Sequence, residues 1–155
     1  MEPGDVPAVV TMVHELAAYE RAPEQCQLNA EQLSTALFAT APALFGHVAE
    51  LGTGQVGGFA LWFLSFSTWR GAHGIYLEDL YVRPQARGLG AGRALLAALA
   101  GICVERGYQR LEWWVLDWNE PALRFYRTLG ALPMNEWTVW RLDAQGLSRL
   151  AGASN

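Results

Sequence analysis

A glycine-rich turn between a strand pattern and a long helix pattern constrains this chain more than any other feature. The strand is predicted over His73–Val82 and ends before Pro84. The helix is predicted over Gly88–Arg106, with apolar residues at helical spacing and Gly107 as its C-terminal stop. Glycines at a helix start let a ligand approach the backbone, and the N–H groups there suit a pyrophosphate. The segment therefore predicts a phosphate-binding turn.

Three families of phosphate-binding turn can be compared with this segment. A Walker loop needs Gly-Lys-Ser/Thr after its second glycine, and the chain has no such sequence here. A dinucleotide-binding fold needs GxGxxG, and Arg93 stands where its last glycine belongs. The third family fits: the R/Q-x-x-G-x-G/A signature of the GNAT superfamily of N-acetyltransferases resembles Arg87-Gly88-Leu89-Gly90-Ala91-Gly92. The alternative is a plain glycine-rich helix start.

Three further segments resemble one branch of that superfamily, the spermidine/spermine acetyltransferases. Tyr76–Val82 is similar to the fourth strand of the branch, and Trp118–Tyr126 to its W-N-E-P-x-x-x-F-Y segment. Leu16–Glu20 is similar to its first-helix L-A-x-Y-E. The resemblance spans residues 5–143. It implies transfer of an acetyl group from acetyl-CoA to a small amine such as a polyamine, a diamine or a lysine-like amino acid.

The remaining patterns predict the element order ααβββαβαβ in one N-acetyltransferase domain over residues 1–155. This is an α/β GNAT fold with a mixed, mostly antiparallel sheet flanked by helices. The other predicted elements are a helix from the cap Asp5 to about Arg21, a helix over Ala30–Ala39 capped by Asn29 and Gln32, strands over Gly46–Leu51, Val56–Phe66, Leu111–Leu116 and Trp137–Asp143, and a helix over Glu120–Leu129.

The resemblance implies where acetyl-CoA binds. The cofactor is expected where the strands ending at Val82 and Leu116 splay apart. The pantetheine arm would meet the backbone of Leu80, Tyr81 and Val82. The pyrophosphate would meet the turn, and the thiol end would meet the start of the later helix. The residues expected at the pyrophosphate are Arg87, Gly88, Leu89, Gly90, Ala91, Gly92 and Arg93. The residues expected at the thiol end are Asn119, Pro121 and Ala122.

The resemblance also implies the catalytic pair. Tyr126 matches the tyrosine of the F-Y pair and would protonate the departing thiolate, while Glu78 would help deprotonate the attacking amine. The alternatives are a Tyr126 that only packs and a Glu78 that is only solvated. Adjacent strand residues face opposite sides, so Glu78 and Asp79 would share a face only at a bulge.

The substrate amine is expected among acidic and aromatic side chains, because carboxylates and ring faces attract a cation. By resemblance that site is lined by Tyr19, Glu20, Glu78 and Asp79, with Glu78 favoured over Asp79 at the substrate. The alternative is that these residues occupy exposed helix or strand positions. Trp118 and Trp140 could wall the pocket. Three other tryptophans in strand patterns are expected in the core: Trp62, Trp113 and Trp114.

Two departures from the family pattern matter. Family members begin with a strand before the first helix, whereas Asp5 caps a helix almost at once. The first edge strand is therefore expected to be missing or truncated, which exposes a sheet edge and, with the resemblance, predicts a homodimer. The polyamine enzymes also carry a glutamate two residues before the tryptophan of the last strand. Thr138 occupies that position before Trp140, which argues against polyamine specificity.

Composition narrows the remaining possibilities. The net charge of −4 argues against non-specific nucleic-acid binding. Apolar runs are too short for a membrane span, and residues 1–8 lack a signal-peptide pattern. The two cysteines suggest no disulfide framework, which favours the cytoplasm, and Cys103 is expected as a buried thiol. His14-Glu15 lacks the second histidine of a zinc motif, so no metal is expected. Two rival functions remain: acetylation of a protein lysine or N-terminus, and CoA binding without catalysis.

Overall fold

The computed structural model describes residues 1–52 and 54–152. The chain divides into two compact units, residues 1–114 and residues 115–155, the second described as far as residue 152. The prediction of one N-acetyltransferase domain over the whole chain stays a prediction.

Two helices open the first unit. Helix α1 (Val6–Tyr19) follows a short 3₁₀ turn at Pro3–Asp5 and buries Val6, Val9 and Met12. The predicted side-chain cap is wrong, because the Asp5 carboxylate accepts the Glu2 N–H at 2.7 Å and makes no cap bond to α1.

Helix α2 (Ala30–Phe38) carries the predicted capping box. The Asn29 side chain accepts the Gln32 N–H, and the Gln32 side chain accepts the Asn29 N–H, both at 2.9 Å. The helix begins where the sequence predicts because this box satisfies two N–H groups within four residues. Leu33 and Leu37 are its buried contacts with the core.

A four-stranded sheet follows, in the order β1-β2-β3-β4. Its strands are β1 (Phe45–Glu50), β2 (Val56–Ser67), β3 (Ala72–Val82) and β4 (Leu111–Glu112). The first three pair antiparallel, and β4 joins β3 in parallel. The predicted strand over Leu111–Leu116 is therefore much shorter in the structure. The sheet is mixed and mostly antiparallel, as predicted, with β1 at one edge and no strand before α1 among residues 1–52.

The sheet has a packed core on the side of α1 and α2. Phe59, Leu61 and Tyr81 project from β2 and β3 into a cluster with the buried residues of both helices. Helix α3 (Ala91–Arg106) also packs on the sheet and buries Leu95, Leu96, Leu99 and Cys103. Gly107 ends α3 with a φ of 68°, in the left-handed region that glycine tolerates, as the sequence predicts.

The second unit contains helices α4 (Glu120–Thr128) and α5 (Ala144–Gly152). The predicted strand Trp137–Asp143 is wrong, because the structure has no helix or strand there and α5 follows, with Asp143 accepting the Gly146 N–H at 2.7 Å. An alternating pattern forms a strand only where a neighbouring strand accepts its hydrogen bonds. The observed order is thus ααβββαβαα.

No helix in the described part of the chain is both long and apolar enough to span a membrane.

Candidate active site

The glycine-rich turn lies between β3 and α3, as predicted. Pro84 opens a 3₁₀ turn after β3, and Gly88 and Gly90 follow with φ of 77° and 87°. Helix α3 therefore begins at Ala91, three residues later than predicted, because both glycines are left-handed and Gly90 is the residue before the helix. A Cβ at Gly88 or Gly90 would meet no atom within 4 Å, so backbone conformation and not crowding requires glycine here. The turn is open, and the first N–H groups of α3 lie at its end.

Arg87 sits at the start of this turn and contacts the first helix. Its Nε donates to the Val82 carbonyl oxygen at 2.9 Å. Its guanidinium carbon lies 5.6 Å from the ring centre of Tyr19 and 5.8 Å from that of Tyr81. Arg87 therefore links the turn predicted for the cofactor to Tyr19, which is predicted for the amine. Arg93 is exposed in the first turn of α3.

Glu78 and Asp79 lie at a bulge of β3. Leu61 is opposite Asp79, whereas the next residue of β2, Trp62, is opposite Leu77, so Glu78 is one residue more than the register needs. Leu61 belongs to the core under α1 and α2, so Asp79 lies on that face. In a regular strand these two adjacent acids would face opposite sides of the sheet. The structure has the bulge that the sequence analysis gave as the exception, so the alternation is interrupted between Glu78 and Asp79.

The bulge also changes the direction of the backbone. The Ile75 N–H donates to the Arg110 carbonyl on the β4 side, at 3.0 Å, whereas the Arg83 N–H donates to the Gly57 carbonyl on the β2 side, at 2.9 Å. In a regular strand, residues eight apart would point the same way. Beyond the bulge, the backbone N–H and C=O groups of Leu80 and Val82 therefore point away from β2. Pairing with β4 ends at Tyr76, so β4 does not pair with this part of the β3 edge. By the same alternation Tyr81 directs its backbone to β2.

Burial and neighbouring charge disfavour the ionised form of Asp79. Burial, first, and the charges of Glu78 and Glu20 raise the pKa of Asp79 from 3.8 to about 6. Burial also raises the pKa of Glu20, at the end of α1. The fold therefore brings together three of the predicted residues, Glu20, Glu78 and Asp79. Carboxylates whose charges act on one another in this way attract a cation.

A network that the sequence analysis did not identify fixes the end of α1 to β3. The Arg83 Nε lies 3.1 and 3.2 Å from the two Glu15 carboxylate oxygens, and one terminal nitrogen lies 2.9 Å from Oε1. The Glu15 carboxylate also acts on the Tyr81 hydroxyl: burial first, and then this carboxylate, raise the pKa of Tyr81. Glu15 lies one helical turn before Tyr19, which was the only sequence signal that could have suggested it.

The second unit holds the other predicted residues. The Asn119 side chain accepts the Ala122 N–H at 3.3 Å and caps α4, with Pro121 in its first turn. Tyr126 lies on α4, half-buried, with its ring 5.4 Å from that of Phe125. Trp140 is 91% exposed and lies outside any helix or strand.

A cavity of about 310 Å³ lies elsewhere in the first unit, between α2, β1 and α3. None of the predicted site residues lines it. Trp62, buried as predicted, donates from Nε1 to His47 Nδ1 at 3.1 Å at its wall. The same prediction for Trp114 is wrong, because its side chain is 60% exposed just after β4. We assign this cavity no part in the candidate active site.

The family of the chain follows from comparison with known proteins. The model of the acetyltransferase (GNAT) family matches residues 10–131. The chain belongs to the GNAT family. As predicted from the resemblance, this GNAT chain is an N-acetyltransferase, and its family uses acetyl-CoA as the acetyl donor.

Individual relatives agree with this assignment. Thialysine N-epsilon-acetyltransferase of Bos taurus is 35% identical in an alignment of 159 positions that covers 96% of this GNAT chain and 93% of the relative. Spermidine/spermine N(1)-acetyltransferase-like protein 1 of Homo sapiens is 30% identical over 97% of this chain and 23% of its own length. The predicted branch is thereby confirmed.

A solved structure agrees as well. An integron cassette protein from the mobile metagenome of V.cholerae superposes with a TM-score of 0.79 at 27% identity, over 97% of this GNAT chain and 94% of the other. The predicted GNAT fold is confirmed.

Proposed function

We propose that this enzyme acetylates the primary amine of a small molecule by direct attack of the amine on acetyl-CoA. The observation that carries the proposal is the set of three acidic side chains, Glu20, Glu78 and Asp79, in the same unit as the glycine-rich turn. The turn offers a place for an anionic phosphate, and the carboxylates offer a place for an ammonium. These are the charges that the two substrates bring.

The residues fit the donor substrate. The pyrophosphate would lie on residues 87–93, where left-handed Gly88 and Gly90 leave the backbone uncovered. The pantetheine arm would hydrogen-bond to the Leu80 backbone and the Val82 N–H, which face the edge of β3 beyond β4, whereas the Val82 carbonyl already accepts from Arg87. Asn119, Pro121 and Ala122 would meet its thiol end. When bound, acetyl-CoA supplies the acetyl group as a reactive thioester.

The carboxylates would prepare the amine for attack. An alkyl ammonium has a pKa of about 10.4, so roughly one molecule in a few thousand is neutral at pH 7. Glu20 and Asp79 would hold the ammonium, and Glu78 would take its proton, through water if needed. Tyr126 would protonate the sulfur as the carbon–sulfur bond breaks and the carbon–nitrogen bond forms.

The named relatives support a substrate of lysine-like shape. The bovine relative carries thialysine in its name, and this chain covers nearly all of it, whereas it covers about a quarter of the spermidine/spermine-like protein. Thr138 also lacks the carboxylate that the polyamine enzymes have at that position. We therefore expect thialysine or a short diamine to have a higher kcat/KM than spermidine. A spermidine value above both would refute this, and preference for a lysine peptide would favour the protein-acetylating alternative.

Replacing Tyr126 by phenylalanine tests the acid. The change removes one hydroxyl and keeps the ring, so kcat should fall roughly 10²–10⁴-fold while CoA binding persists. A tyrosine that only packs would instead lose about 0.5–1.5 kcal/mol of stability and keep its rate. Steady-state kinetics and a melting curve on one variant separate the two. A near wild-type kcat with chemistry rate-limiting would exclude the acid role.

We also propose a cytoplasmic homodimer that binds no nucleic acid. The edge strand β1 supports a dimer, since an unprotected edge favours pairing. The charge of −4 supports the absence of nucleic acid.

A further inference from the structure

Two arginines flank the 3₁₀ turn Pro84–Ala86, and the fold holds them in different ways. Arg83 is neutralised by Glu15, whose carboxylate oxygen lies 2.9 Å from its terminal nitrogen. Arg87 has no ion pair among the residues that the structure describes. It is held instead by a carbonyl oxygen and two aromatic rings. Arg87 therefore keeps its full positive charge at the start of the glycine-rich turn.

The ring contacts of Arg87 leave it able to bind an anion. Its guanidinium carbon lies 5.6 Å from the ring centre of Tyr19 and 5.8 Å from that of Tyr81, within the roughly 6 Å over which a ring attracts a cation. A ring offers no oxygen to the guanidinium, and the Val82 carbonyl accepts only from Nε, at 2.9 Å. The terminal nitrogens of Arg87 can therefore donate to phosphate oxygens while both rings stay in place.

The Tyr19 ring is carried by a helix that is tied to β3. Glu15 and Tyr19 are one helical turn apart on α1 and so lie on the same side of it. Glu15 accepts three hydrogen bonds from Arg83, which fix this end of α1 beside the turn. Tyr81 is buried in the core, whereas Tyr19 is 36% exposed. Tyr19 can therefore be replaced without opening the core.

Holding Arg87 in advance favours the binding of a phosphate. A free arginine side chain has many rotamers, and it loses this freedom when it binds a ligand. The contacts with Tyr19, Tyr81 and the Val82 carbonyl restrict the side chain before any ligand is bound. Less entropy is then lost on binding, so the affinity for the anion rises.

We infer that Tyr19 is a positioning residue for the cofactor: its ring holds the Arg87 guanidinium beside the glycine-rich turn, ready for the pyrophosphate of acetyl-CoA. This inference rests on the proposed function, which places the pyrophosphate on residues 87–93. It gives Tyr19 a part in binding the acetyl donor, where the resemblance implies a contact with the amine.

The test is a double-mutant cycle on the Kd of CoA, measured by isothermal titration calorimetry. Tyr19→Leu and Tyr19→Gln, which both lack the ring, should raise this Kd about 2- to 5-fold, the range of one exposed cation–π contact. Tyr19→Phe keeps the ring and should stay near the wild-type Kd. In an Arg87→Met background, Tyr19→Leu should cause no further loss. The KM for acetyl-CoA should rise with the Kd, and by more than the KM for the amine.

Tyr108→Leu is the matched control, since the Tyr108 ring packs on His73 with ring centres 5.8 Å apart. It removes a tyrosine ring from the same unit and should leave the Kd of CoA unchanged. Melting curves without ligand show whether each variant folds, and Tyr19→Gln provides a second ringless variant should Tyr19→Leu fail to fold.

The outcomes are distinct. An unchanged Kd in folded Tyr19→Leu and Tyr19→Gln, or a loss of equal size in the Arg87→Met background, overturns the inference while the wild type still binds CoA. An equal loss in Tyr19→Phe shows that the hydroxyl and not the ring matters, which also overturns it. An effect confined to the KM of the amine assigns Tyr19 to the amine site instead. If the wild type binds no CoA, the proposed function fails and the inference falls with it.

Discussion

Replacing Asp79 by asparagine removes a carboxyl group whose charged form the fold disfavours. The pKa of Asp79 rises from 3.8 to about 6 on folding, chiefly through burial. The folded state therefore binds this proton more tightly than the unfolded chain does. Asp79 contributes stability that is fully present below pH 3.8 and is lost as the pH rises through about 6.

The size of the effect follows from the shift. Roughly two pKa units at about 1.4 kcal/mol each give an effect of about 3 kcal/mol. The asparagine variant lacks this pH-dependent loss. Any fixed cost of the amide is the same at every pH, so the difference in stability between variant and wild type isolates the effect. Between pH 4 and pH 8 that difference should move toward the variant by about 2–2.5 kcal/mol, because part of the effect is already lost at pH 4, and this corresponds to roughly 5–10 °C in Tm for a chain of this size.

The assay is a melting curve of both proteins at several pH values. Glu20→Gln is the companion variant: it removes one of the charges acting on Asp79 and should shrink the effect only in part, because burial is the larger cause. Raising the salt concentration should likewise remove only the Coulombic part. A stability difference that stays constant from pH 4 to pH 8 would refute the reasoning, and complete loss of the effect in high salt would refute the role of burial.

Three further predictions concern other parts of the site and the assembly. Gly90→Val should lower the unfolding free energy by about 1–2 kcal/mol, because φ is 87° there, and should abolish the rise in melting temperature that CoA causes. Gly101→Ala inside α3 is the control and should keep this rise. An unchanged rise in a folded Gly90→Val variant would contradict the assignment of the turn to the pyrophosphate. Arg83→Met should lower the unfolding free energy by about 1–2 kcal/mol, because Glu15 loses three hydrogen bonds, and urea titration showing no loss would count against the network. Light scattering at micromolar concentration should give the mass of a dimer, and a monomer there would reject the homodimer.

Signals that act within a few residues could be predicted from the sequence. The Asn29–Gln32 box and the stop at Gly107 appear where predicted, since each depends on atoms in one turn of helix. The turn at residues 87–93 was also found, because left-handed conformations leave glycine as the residue of choice.

The last strand could not be predicted in this way. The alternation over residues 137–143 is a local pattern, but a strand also needs a partner, and Trp137 and Trp140 are exposed in the structure. The short β4 has the same cause, since pairing with β3 ends at Tyr76.

The sequence by itself determined the family, the sheet's strands as far as β3 and the identity of the acidic residues. Only the tertiary structure decided how those acids behave. The bulge at Glu78 exists only in the register of β3 against β2, and Glu20 reaches Asp79 only because α1 packs on that face. Arg83 and Glu15, 68 residues apart, meet for the same reason. Burial and charge act through space, so the pKa of Asp79 is a property of the fold and not of the residues beside it in the chain.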